Sequence, residues 1–131
     1  MMQKIFVSFG AADRPFAERL VKDLSALGAE VIYDNPLNRP NYSYDWALRR
    51  DLEATDALVL IVPEPGSPNA NLAFFEAGAA KASGKRVVAV LPTPDASRAR
   101  EAPTDALAVF YGSRLTPAAL AKSIFTTLEA A

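Results

Sequence analysis

Ala57-Leu58-Val59-Leu60-Ile61-Val62 is the stretch on which the fold turns. Its uninterrupted apolar character has no in–out alternation, as expected of a central parallel strand covered on both faces. It is also the longest purely apolar run in the chain, far short of the roughly 20 residues needed to cross a bilayer. On its carboxyl side, Pro63–Asn71 (PEPGSPNAN) reads as a loop, and Leu72–Ser83 (LAFFEAGAAKAS) as a helix closed by Gly84. Arg86–Leu91 (RVVAVL) follows as a second buried strand. On its amino side, Asp45–Asp56 has Leu48 and Leu52 one helical turn apart. Lys4–Phe9 (KIFVSF) and Glu30–Asp34 (EVIYD) are β-branched, aromatic strand candidates. Between them Phe16, Leu20, Leu24 and Leu27 keep helical spacing, with Asp13 as a cap, Pro15 in the first turn and Gly28 at the exit.

The ten residues Asn35–Tyr44 (NPLNRPNYSY) hold two prolines and three asparagines and read as a loop. Thr93–Asp105 reads as a loop with room for a helical turn, and Leu107–Tyr111 (LAVFY) as a fifth strand. Thr116-Pro117 opens a last helix, with Leu115 and Leu120 spaced for a hydrophobic staple and Leu120, Ile124 and Leu128 as its buried stripe. Strand and helix alternate five times without a linker or repeat across 131 residues. One α/β domain spanning 1–131 is expected: a flavodoxin-like three-layer sandwich, its five-stranded parallel sheet ordered 2-1-3-4-5 with helices on both faces. Ligands of such sheets sit beyond the carboxyl ends of the strands, here Ser8–Asp13, Asp34–Trp46, Pro63–Glu76 and Pro92–Asp105.

Composition narrows the chemistry. Half of the residues are hydrophobic and 22% charged, which favours a packed core over disorder. With 14 Lys and Arg against 15 Asp and Glu, the net charge of −1 lacks the basicity of a nucleic-acid binder. Cysteine and histidine are both absent, so disulfides, thiolate or imidazole metal sites and His-dependent triads are excluded. No metal and no bound cofactor are expected. Ile5–Val7 is too short for a signal-peptide core, which points to a cytoplasmic chain without a membrane anchor. The glycines, at 10, 28, 66, 78, 84 and 112, fit neither the dinucleotide fingerprint nor a P-loop. A phosphoacceptor receiver domain would need an aspartate at the end of the third strand, where Val62-Pro63-Glu64 stands, and a partner lysine after the fifth.

Glu76 is the only charge between Asn71 and Lys81. It falls early in a helix at the carboxyl edge of the central strand, where the dipole favours its ionised form and apolar neighbours oppose it. A lone carboxylate there suits stabilisation of an oxocarbenium-like transition state in glycosidic cleavage. The plainer reading makes it part of the solvated face of an Ala-rich helix. Tyr33, Tyr42, Tyr44 and Trp46 cluster around the Asn35–Tyr44 loop, a pattern suited to base stacking or to a protein interface. Trp46 shares a helical face with Arg49, Arg50 and Glu53 rather than with Leu48. Arg39, Arg49 and Arg50 could meet phosphates or be ordinary surface arginines.

The segments KIFVSFGAADRPFAERLVKDLSALGAEVIYD (4–34), DALVLIVPEPGSP (56–68) and FFEAGAAKASGKRVVAVLP (74–92), with the loop leading to Asp45-Trp46, resemble the Toll/interleukin-1 receptor (TIR) domain family, especially its short bacterial members. The resemblance implies that Glu76 is the catalytic glutamate. It implies that Ser8, Phe9, Asp34, Trp46 and Ser67 contact substrate, and that Arg39, Tyr42 and Tyr44 belong to an interface, the family's BB loop. Leu72 stands where the family often has Trp. The implied activity is an NAD glycohydrolase cleaving the nicotinamide–ribose bond in signalling or defence, with NAD or a related nucleotide as substrate. Two alternatives go with the same resemblance: a non-enzymatic adaptor acting through self-association or other TIR domains, and a nucleoside deoxyribosyltransferase-like enzyme. In the first activity, association through the Asn35–Tyr44 loop is expected to complete the site, so that activity rises with protein concentration.

Overall fold

A computed structural model describes residues 3–33 and 44–131, with the side chains of Tyr44 and Asp45 outside the description. Asp34 and the Asn35–Ser43 part of the proline-rich segment lie outside the described residues.

Five parallel strands form one sheet in the order β2-β1-β3-β4-β5, as the sequence pattern predicts. They are β1 (Lys4–Ser8), β2 (Glu30–Ile32), β3 (Ala57–Ile61), β4 (Arg86–Leu91) and β5 (Ala108–Tyr111). The helices are α1 (Arg14–Ala26), α2 (Tyr44–Ala54), α3 (Ala70–Ala82), α4 (Ala96–Glu101) and α5 (Pro117–Ala130). Val59 and Val88 pair in the middle of the sheet and are fully buried.

Side-chain alternation along the strands splits the core in two. Ile5, Val7, Val59, Ile61, Val88 and Val90 meet Leu20 and Leu24 of α1 and Leu120, Ile124 and Leu128 of α5. Phe6, Leu58, Leu60, Val87 and Ala89 meet Leu48 and Leu52 of α2 and Ala73, Ala77 and Ala80 of α3. Ala73, Ala77 and Ala80 present only methyl groups to the strands, which lets α3 lie close to the sheet.

Helix ends follow local chemistry. Gly28, at φ +98°, takes the left-handed position after α1, where its N–H bonds to Ser25 O. Thr116 Oγ1 accepts from Ala119 N at 3.2 Å to cap α5. One expectation changes and one is sharpened. Asp13 precedes α1 without making a cap hydrogen bond, because its carboxylate turns inward to a buried arginine. Thr93–Asp105 is more than a loop: Asp95 Oδ1 accepts from Ser97 N (2.9 Å) and from Ser97 Oγ (2.8 Å), opening the short α4. Those two bonds, the side-chain one first, hold the Asp95 carboxyl below its ordinary range. Among the described residues, no helix is long and apolar enough to cross a membrane.

Candidate functional site

The strand order reverses between β1 and β3: from β1 the chain builds outward to β2 on one side and to β3 on the other. Loops diverge at such a switch point and leave a crevice at the carboxyl ends of the strands. The crevice is present here. One wall is the end of β1 and the start of α1, with Phe9, Ala11 and Arg14; Tyr33 follows β2; the other wall is the start of α3, with Asn69, Leu72 and Glu76. Phe6 and Val7 form its floor. The crevice is partly open, and its space of about 30 Å³ has room for a water or two rather than a nucleotide.

Glu76 is only 6% exposed, which removes the solvated-face reading. Its place follows from α3 periodicity: Ala73, Glu76, Ala77 and Ala80 are all buried along one side of the helix. Arg14 brings a positive charge to the opposite wall. Its guanidinium lies 5.2 Å from the Phe9 ring centroid, and its 3.9 Å ion pair with Glu18 is half-exposed on both sides. An exposed pair of that length contributes little, so Arg14 keeps most of its capacity to meet an anion. Asn69 adopts φ +64° before α3 and makes no cap hydrogen bond with its side chain. Asparagine is among the few non-glycine residues that tolerate this region.

The residues expected at the site divide. Glu76 and Phe9 line the crevice together. Ser8 on β1 does not line it; it is 2% exposed, and its Oγ has no hydrogen-bond partner among the described residues. A buried hydroxyl in that condition is uncommon. Trp46 is 47% exposed on α2, with the Arg50 guanidinium 5.5 Å from its ring centroid, and does not line the crevice. Ser67 also stands outside it; its Oγ donates to Glu64 O at 2.6 Å and closes the β3–α3 turn. Asp34, Arg39 and Tyr42 lie outside the described residues, as does the side chain of Tyr44.

Sequence reasoning missed Arg14 and Asn69. Arg14 looked like one more surface charge on an amphipathic helix, and only the exit of β1 brings it opposite Glu76. The left-handed tolerance of Asn69 was the available signal for a special backbone position. It also missed a buried ion pair beside the crevice. Arg98 Nη1 of α4 donates to Asp13 Oδ2 at 2.7 Å and to Val62 O at 3.1 Å.

A larger open groove of about 470 Å³ lies between α3 and the segment before β5, lined by Phe74, Ala77, Gly78, Val87 and Pro103. Its charged groups, Lys81 and Asp105, are engaged with each other. Among the described residues no group of three or more acidic side chains is arranged to hold a metal ion.

A flavodoxin-like sheet with a carboxylate crevice at its switch point defines the class of the fold. Comparison narrows it: a family model for the TIR domain matches residues 5–124, and the chain belongs to that family. The match runs past Pro92, where the resemblance read from the motifs stops. Among solved structures, the chain is similar to an orphan response regulator of H. pylori (15% identity, 96% of each chain, TM-score 0.58). It is also similar to the signal receiver domain assigned to the response regulator NarL of Mycobacterium tuberculosis (18% identity, 99% of this chain and 98% of that one, TM-score 0.57). At these identities the likeness is one of fold. The aspartate a receiver needs after the third strand is absent: β3 runs into buried Val62 and Pro63. No curated protein gives a significant match.

Proposed function

We propose that this TIR domain is an NAD glycohydrolase with Glu76 as the catalytic carboxylate. The observation that carries the reading is the burial of Glu76 in a switch-point crevice opposite Arg14, at the position matching the family's glutamate. In the proposed reaction the bond between ribose C1′ and the nicotinamide nitrogen breaks, and its electron pair leaves with neutral nicotinamide. The ribosyl cation that develops is stabilised by the Glu76 carboxylate. Water then adds to C1′ and releases one proton, giving ADP-ribose. Arg14 meets the pyrophosphate, while the rings of Phe9 and Tyr33 offer stacking faces.

In this reading the crevice widens to admit a dinucleotide, since its present space is about 30 Å³. The same volume, with Trp46, Phe75 and Tyr111 exposed, favours the second reading, an adaptor without turnover. Nicotinamide release measured by chromatography across a protein dilution series separates the two. The enzyme reading expects turnover that rises with concentration and a loss of at least about a hundredfold in Glu76→Gln, with unchanged circular dichroism. Assembled protein that leaves NAD intact supports the adaptor; exchange of bases between nucleosides supports a transferase.

A further inference from the structure

The buried pair Asp13–Arg98 has no part in that chemistry, yet it sits where the walls of the crevice are joined. Asp13 ends the short turn Ala11–Asp13 between β1 and α1 and is 9% exposed; Arg98 is 8% exposed. The residues are 85 positions apart, so the contact is purely tertiary. The same guanidinium nitrogen also holds Val62 O at the end of β3. Two further contacts fasten the turn nearby. Ala11 N donates to Pro68 O at 3.1 Å, one residue before Asn69. Gly10 is packed so closely that an added Cβ would stand 3.2 Å from Pro63 Cβ and 3.3 Å from Pro68 O.

We propose that Asp13 and Arg98 are positioning residues: together they clamp the β1–α1 turn to the end of β3 and so set Phe9 and Arg14 at working distance from Glu76. The kinetic part of this proposal rests on the NAD reading; the mechanical part does not. Removing one partner strands a buried charge and destabilises the fold whatever its role, whereas replacing both by apolar groups is often tolerated. The informative variant is therefore Asp13→Leu/Arg98→Met, studied beside Arg98→Lys.

The clamp expects the double variant to fold, but with the Ala11 amide exchanging with solvent at least about tenfold faster while the Val59 amide keeps its protection. It expects kcat/KM for NAD to fall about tenfold to a hundredfold, mostly through KM, because the displaced wall binds the substrate while Glu76 stays on α3. Because one guanidinium nitrogen makes both bonds, Arg98→Lys, which keeps the charge and an N–H donor, is expected to hold activity within about threefold of the parent. Unchanged Ala11 exchange in the folded double variant overturns the clamp. So does unchanged kcat/KM in a protein whose parent hydrolyses NAD. If the parent leaves NAD intact, the enzymatic reading fails and the exchange measurement alone decides the clamp. Should the double variant not fold, Asp13→Asn, which keeps an acceptor for Arg98 but loses the charge, carries the same two measurements, with smaller changes of the same sign expected.

Discussion

The two faces of the sheet are built from the same strands and solve different problems. On the α1/α5 face, branched strand residues meet Leu20, Leu24, Leu120, Ile124 and Leu128, all buried and all apolar. On the α2/α3 face, small alanines take the place of most of those leucines, and Glu76 is buried beside them. A carboxylate held inside a helix–sheet interface costs stability that a leucine there would contribute. One face is apolar throughout its buried cluster; the other gives up some apolar contact to hold a carboxylate near the end of β1.

The sharpest way to break this comparison is to damage the first face and watch the second. Leu24→Ala, fully buried, should cost about 2–5 kcal/mol in a denaturant titration. The proposed NAD turnover per folded molecule should stay unchanged at low temperature. If activity falls in proportion to stability, the two faces are not separable. A milder probe of the same face is Thr116→Ala, which removes the bond to Ala119 N and should cost about 1 kcal/mol, read as a lower unfolding midpoint with no change in any property of the crevice.

The smallest effect sharpens the comparison at the other helix opened by a side-chain cap. The Asp95 carboxyl is held below its ordinary range chiefly by the Ser97 hydroxyl. A depressed carboxyl stabilises the fold above its unfolded-state value, and that contribution is lost as pH falls through the lower folded value. The window thus lies at and below the ordinary aspartate range near about 4. Ser97→Ala should move the Asp95 midpoint back up, followed by carboxyl carbon resonances, and lower stability slightly at pH 7, with the difference from the parent disappearing below the folded Asp95 midpoint.

The α1/α5 face was legible in the sequence and the α2/α3 face only partly so. Leucines at helical spacing, Gly28 and Thr116-Pro117 each encode their role within a few neighbouring residues, and strand order followed from five apolar runs and the handedness of their connections. Glu76 was legible because a lone charge in an apolar helix is conspicuous, although its burial depends on the sheet beneath it. Arg14 and the Asp13–Arg98 pair were not legible. Their meaning arises only where loops far apart in sequence converge, and no local spacing records that convergence. Asp13 was misleading for the same reason: aspartate before a helix ordinarily caps it, and here a distant arginine outcompetes the local bond.

The alanine stripe of α3 has a further consequence, of a mechanical kind. Ala73, Ala77 and Ala80 act as a shim whose thickness is one methyl group. The height of Glu76 above the strands is therefore set by side-chain size, a quantity that substitution changes in small steps. Ala80→Ser and Ala80→Val, at a fully buried position, form a graded series that lifts the helix progressively, with overpacking costs of about 1–3 kcal/mol at the larger end. Drift at these three plain positions could retune or silence the crevice with Glu76 and the opposite wall left untouched.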